Sequence, residues 1–239
     1  MQISNVYAAD DPENLVVTTE FVPATRIQES LVASAEKRTL IWLAKRMPDW
    51  INSDHLTLLG FVSQCLAGTC YALARLNPDA LLVGIVFLAL NWLGDSLDGT
   101  LARVRNRQRP RYGFYVDHIT DTIAALFLMG GLALSGYVHP GIALGMLIAF
   151  LMLSIEAYLV TYTLGRFELS HGKFGPTEIR ILLAIGNLAL LRHPLVKLMG
   201  RSVLLFDVGG IVAIAGMSVM LVISAVKHTA QLYKEEKLG

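Results

Sequence analysis

Between Asn91 and Thr122 the chain reads NWLGDSLDGTLARVRNRQRPRYGFYVDHITDT. Asp95 and Asp98 stand three residues apart, and Asp117 and Asp121 four apart, so on helices each pair shares one face. The stretch between the pairs is short enough to force an antiparallel helix pair, which brings four carboxylates together near a membrane boundary. Four bare negative charges in a low dielectric are untenable. A positive partner must sit among them, and an all-oxygen donor set selects a hard cation such as magnesium or manganese. Four carboxylates exceed what one octahedral ion needs. Two ions bridged by shared carboxylates are the economical arrangement, and two-metal sites serve phosphoryl chemistry.

The neighbouring residues fit that chemistry. Gly99 follows Asp98, and Ala102 lies about one turn on, leaving a face bare enough for a bulky ligand to approach the backbone. Arg103 is placed to clamp phosphate, and Gly113 stands opposite, where the next helix begins. A single aspartate at a membrane edge is as often a cap or an ion-pair partner as a catalytic group. Four at these spacings, with small residues between them, point to a metal site. The five arginines from Arg103 to Arg111 satisfy a topology rule and also suit a loop that gathers phosphates.

The elements that must hold these residues follow from composition. The chain has 239 residues, 54% hydrophobic and 16% charged, with a net charge of +1 and a mean hydropathy of +0.53. A soluble domain carries about 25% charge, so an integral membrane protein is expected and a nucleic-acid-binding domain is disfavoured. Apolar runs cover Leu56–Leu73, Ala80–Leu93, Phe114–Tyr137, Ile142–Leu164, Ile179–Leu191 and Phe206–Val226. Six spans of roughly 20 residues each account for them. From Arg26 to Met47, apolar residues recur at helical spacing among charged ones, with Trp42 and Trp50 suited to headgroups, which predicts an interfacial amphipathic helix. A soluble helix packed on the cytosolic face fits the same pattern. The N-terminal residues have neither the basic start nor the apolar centre of a cleaved signal peptide. Cys65 and Cys70 share one apolar run and imply neither a bridge nor a metal site.

The expected fold class is therefore an all-α membrane protein, a six-helix transmembrane bundle preceded by an interfacial helix. Residues 1–50 form the N-terminal segment, 51–228 the helical domain and 229–239 a tail. With both ends cytosolic, sixteen of the twenty basic residues face the cytosol and four face out. Termini and active site are expected on the cytosolic side of the cell (inner) membrane. Arg192, Lys197 and Arg201 on the last outer loop dissent from the rule, and nothing in the sequence explains them.

The stretch resembles the signature of the CDP-alcohol phosphatidyltransferase family, an eight-position pattern supplied here by Asp95, Asp98, Gly99, Ala102, Arg103, Gly113, Asp117 and Asp121. The spacer Val104 to Tyr112 is longer than the family's usual one. The resemblance implies a six-helix enzyme, with an interfacial helix before it, that works as a homodimer. It implies that Asp95, Asp98, Asp117 and Asp121 bind two divalent cations, Mg2+ or Mn2+. It implies that Asp98, Gly99, Ala102, Arg103, Gly113 and Asp117 line the CDP site, and that Asp121 is the general base for the acceptor hydroxyl. CMP and a phosphodiester would be the products.

Two branches of that family stay open. One moves a phosphatidyl group from CDP-diacylglycerol to a small polar alcohol; a phosphorylated acceptor would call on Arg105, Arg166, Lys173 and Arg180. The other moves phosphocholine or phosphoethanolamine from its CDP derivative to diacylglycerol. Glu156, Tyr158, the pair Asp117-His118 and the segment Gly175 to Glu178 resemble that aminoalcohol branch, with Glu156 and Glu178 as candidate acidic groups in the pocket. Size and helix count favour the first. From another class, a cation transporter is an alternative, but its carboxylates would lie near mid-membrane on several helices. A non-catalytic membrane scaffold is a third reading, with no support from the motif.

Overall fold

The structure, a computed structural model, describes residues 25–27, 33–168, 176–198 and 200–236. Helix α1 (Ala33–Ala44) precedes α2 (Ser53–Ala74), α3 (Ala80–Val104), α4 (Pro110–Leu134), α5 (Pro140–Leu164), α6 (Pro176–Arg192) and α7 (Leu205–Glu235). A short strand β1 (Thr25–Ile27) pairs in parallel with β2 (Arg166–Glu168). Strands β3 (Leu195–Leu198) and β4 (Arg201–Leu204) form an antiparallel hairpin between α6 and α7.

Local chemistry sets the ends of these helices. Asn52 caps α2 by accepting from the His55 backbone N–H at 3.0 Å, while His55 Nδ1 accepts from the Asn52 N–H at 3.3 Å, a reciprocal box. Proline opens α4 and α5 at the first helical position, where no backbone donor is required. Gly165 ends α5 with φ 65, a left-handed conformation that glycine adopts without penalty.

Among the described residues, five helices (α2, α3, α4, α5 and α7) are long and apolar enough to cross a membrane. They form an all-α bundle whose outer surfaces carry exposed apolar side chains such as Leu144, Ile148, Val219 and Val222. Helix α6 coincides with the short fifth apolar run; at 17 residues it rises about 25 Å, less than the ~30 Å of a hydrocarbon core. It is fastened into the bundle by a buried polar contact. Tyr71 on α2 donates to Asn187 Oδ1 on α6 at 2.9 Å, and both side chains are buried.

The N-terminal helix differs from expectation. Arg26 and Ile27, expected to start it, lie in β1, where flanking β-branched residues suit an extended chain, and the helix runs from Ala33 to Ala44. Leu40 and Ala44 are buried in a cluster with Leu56, Leu97 and Leu101, so this face of α1 is docked on α2 and α3. Lys37, Arg38, Trp42, Lys45 and Arg46 are exposed.

Close helix contact positions the acidic segment. A Cβ placed on Gly94 of α3 would lie 2.5 Å from Gly60 N and 2.6 Å from Leu56 O of α2. Only a bare backbone permits this approach, and it occurs beside Asp95. Gly94→Ala is expected to force the two helices apart at a cost of about 1–3 kcal/mol, read as a lower melting temperature in detergent. Gly145→Ala is the comparison, because its methyl meets only the flexible end of Ile214 at 2.9 Å. An equal loss in both variants would contradict the rigid α2–α3 contact.

Candidate functional site: an acidic cleft between α3 and α4

Asp95 and Asp98 lie near the C-terminal end of α3, and Asp117 and Asp121 in the first half of α4. The reversal between the helices is tight, with Asn106 in a left-handed conformation at φ 52, which asparagine tolerates better than most residues. Asp95, Asp117 and Asp121 each offer a carboxylate oxygen, and the three atoms lie within 4.8 Å of one another. All four aspartates line a small open cleft, together with Thr57, Asn91 and Thr120.

The carboxylates are oriented from other helices. Thr57 Oγ1 on α2 donates to Asp98 Oδ2 at 2.6 Å, and Ser53 Oγ donates to the Asp98 carbonyl at 2.9 Å. The Gly99 backbone N–H donates to Asp98 Oδ1. Arg180 on α6 binds Asp95 Oδ2 through Nη2 at 2.7 Å and Asn91 Oδ1 through Nε at 2.7 Å. Asn91 in turn donates to the Gly60 carbonyl at 3.0 Å, tying Arg180's anchor to the α2–α3 contact. The sequence pattern alone gives Thr57, Ser53 and Asn91 no role at the site. A Ser–Thr pair four apart at a helix start was the available signal, but it is a common capping pattern.

A Cβ on Gly113 would meet nothing within 4 Å, and one on Gly99 would come to 3.3 Å from the Arg103 guanidinium. Arg103 is exposed and donates to Thr100 Oγ1 at 3.0 Å. Ala102 is half-buried between them in sequence. His118 stacks on Phe114, with ring centroids 4.1 Å apart, and meets Tyr158 edge-on at 5.0 Å. An aromatic wall from α4 and α5 therefore stands one residue from Asp117.

The candidate acceptor residues separate. Arg180 joins the cleft. Arg105 instead ties the α1–α2 connection, donating to the carbonyls of Ile51, Met47 and Pro48 at 2.5, 2.7 and 3.0 Å. Glu156 on α5 receives Ser224 Oγ at 2.8 Å and faces His228 Nδ1 at 2.7 Å, both on α7. Glu178 is buried in the first turn of α6. Arg166 belongs to β2, and Lys173 lies outside the described residues. Arg192, Lys197 and Arg201 are exposed at the far end of α6 and on the β3–β4 hairpin.

A cluster of carboxylate oxygens at this separation, with neither sulfur nor imidazole donors among Asp95, Asp117 and Asp121, fits a hard divalent cation. Arg180 supplies some countercharge to Asp95, but one guanidinium does not balance four carboxylates.

The sequence pattern of CDP-alcohol phosphatidyltransferases matches residues 50–226, the stretch that spans α2 to most of α7 and holds the whole cleft. Cholinephosphotransferase 1 of Gallus gallus is 28% identical over 152 residues, covering 60% of this chain and 44% of that protein. Archaetidylinositol phosphate synthase of Methanothermobacter thermautotrophicus is 29% identical over 150 residues, covering 60% of this chain and 70% of that protein. The match thus spans less than half the length of the chicken protein. With about three quarters of its length inside the family pattern and the acidic cleft at its centre, the chain belongs to the CDP-alcohol phosphatidyltransferase family.

Proposed function

We propose that the protein transfers a phosphatidyl group from CDP-diacylglycerol to the hydroxyl of a small polar alcohol, forming a phospholipid and releasing CMP. The observation that carries this reading is the convergence of four aspartates from two helices on one open cleft. Asp98, Gly99, Ala102, Arg103, Gly113 and Asp117 would border the CDP moiety, with Arg103 on the diphosphate. Asp95, Asp98, Asp117 and Asp121 would hold two divalent ions, Mg2+ or Mn2+, which when bound supply positive charge to the diphosphate.

Asp121 lies one turn deeper along α4 than Asp117, next to Asp95. In the proposed reaction its carboxylate accepts the acceptor's hydroxyl proton as that oxygen bonds to phosphorus. The bond from this phosphorus to the CMP oxygen breaks, and CMP leaves with the electron pair. Arg180 is the best-placed of the acceptor candidates, since its guanidinium already reaches the cleft. Arg105 and Glu156 hold contacts elsewhere in the fold, Glu178 is buried in the first turn of α6, and the Arg166 and Lys173 side chains lie outside the described residues.

A second reading, transfer of phosphocholine or phosphoethanolamine from its CDP derivative to diacylglycerol, is favoured by the similarity to cholinephosphotransferase 1 and by the aromatic wall around Tyr158. Glu156 would serve an ammonium group there only by leaving Ser224 and His228. In either case α6 is read as the sixth span and α1 as lying at the cytosolic surface of the cell membrane, with its basic and tryptophan face outward. A homodimer is part of the same reading. Transport of cations is the competing class.

Purified protein given a matrix of CDP-linked donors and alcohol acceptors with Mg2+ or Mn2+ is expected to release CMP, and chelation to stop it. Cation flux in liposomes with no CMP from any donor would overturn the proposal in favour of transport. Asp121→Asn is expected to lower kcat by about 10²–10⁴-fold while leaving the bundle folded; near-normal turnover would remove Asp121 from the role of base.

A further inference from the structure

Glu36 takes no part in the chemistry above, yet donors from two other helices converge on its Oε1. Trp92 Nε1 donates at 2.8 Å, Ser96 Oγ at 3.2 Å and Thr177 Oγ1 at 2.8 Å. Trp92 and Ser96 are four apart on α3, so they share a face, and they are chain neighbours of Asn91 and Asp95. Thr177 lies in the first turn of α6, three residues before Arg180. A carboxylate beside this turn is also favoured by the exposed backbone N–H groups of a helix start.

Helices α3 and α6 are thus joined twice over one short stretch, by Glu36 from α1 and by Arg180 from α6 itself. The second link depends on placement. Arg180 contacts Asp95 and Asn91 at 2.7 Å through two of its nitrogens, while its Nη1 is buried with no hydrogen-bond partner among the described residues. Charge-assisted bonds of this length weaken steeply with a small displacement of the donor. Helix α1 is seated independently by Leu40 and Ala44 against Leu97 and Leu101, so it offers Glu36 as a fixed post.

We propose that Glu36 is a positioning residue for the acidic cleft: it fixes the first turn of α6 against α3 and thereby holds Arg180 on Asp95 and Asn91. The countercharge that Asp95 carries, and so the field it presents to a cation or a diphosphate, is then set by how α1 is docked. The functional meaning rests on the cleft being the reaction site, but the geometry is testable without turnover.

The test is labelling of arginines by phenylglyoxal in the intact protein in detergent, read peptide by peptide with mass spectrometry. Glu36→Ala and Thr177→Val are expected to raise the labelling rate of Arg180 by about threefold or more, since protection falls as a local contact opens. Arg105, held separately by the α1–α2 connection, keeps its wild-type rate. Glu36→Gln retains an acceptor oxygen and is expected to restore protection of Arg180. An unchanged Arg180 rate in Thr177→Val, or a joint rise of Arg105 and Arg180 in both variants, would overturn the proposal. Should Glu36→Ala fail to fold, Thr177→Val decides. Absence of CMP release from wild type would sink the proposed reaction and leave this result untouched.

Discussion

Mutual repulsion among four carboxylates is the constraint around which this end of the bundle is organised. Asp95, Asp117 and Asp121 bring oxygens within 4.8 Å of one another, and Asp98 completes the wall of the same cleft. Such a group is tolerable only with countercharge and fixed hydrogen-bond donors. The fold provides Arg180 from α6, Thr57 from α2 and the Gly99 backbone, each aimed at a carboxylate oxygen. What these protein groups leave unbalanced is negative charge, which a divalent cation could neutralise.

Holding like charges together takes rigidity, and the rigidity comes from backbone contact. Gly60 and Gly94 let α2 and α3 touch, so Thr57 reaches Asp98 and the Gly60 carbonyl reaches Asn91. Asn91 then orients Arg180, whose helix is fastened at its other half by Tyr71 and Asn187. Helix α1 closes the arrangement from the N-terminal side through Glu36 and a small apolar cluster. In contrast α5 and α7 carry many exposed apolar side chains, and among the described residues α5 approaches the cleft through Tyr158 against His118.

How much of this could be read from the sequence depended on the range of each interaction. The carboxylate pairs were legible because three- and four-residue spacings on one helix are local facts, and because a short connection leaves two helices little choice but to run antiparallel. The helices themselves followed from apolar run length. Partners across the bundle were not legible: Thr57 is 41 residues from Asp98, and Arg180 is 85 from Asp95. Among the basic candidates Arg180 reaches Asp95, whereas Arg105, equally basic and nearer the motif, serves the α1–α2 connection, and no local pattern separates the two. Glu36 looked like one more charge on an amphipathic helix, because nothing local reveals that Trp92, Ser96 and Thr177 meet it. That helix starts later than its apolar pattern suggests because Arg26 and Ile27 pair with the distant strand β2 (Arg26 with Phe167, Ile27 with Glu168), and strand pairing leaves no local trace.

The aspartates of the cleft are proposed to bind divalent cations. Equilibrium binding of Mn2+ to the metal-free protein, followed by electron paramagnetic resonance, tests this most directly. Saturable uptake of about two ions per chain, strengthened by CDP and lost in Asp117→Asn, is the expected result. No saturable uptake by wild type, or uptake indifferent to Asp117→Asn, would contradict it.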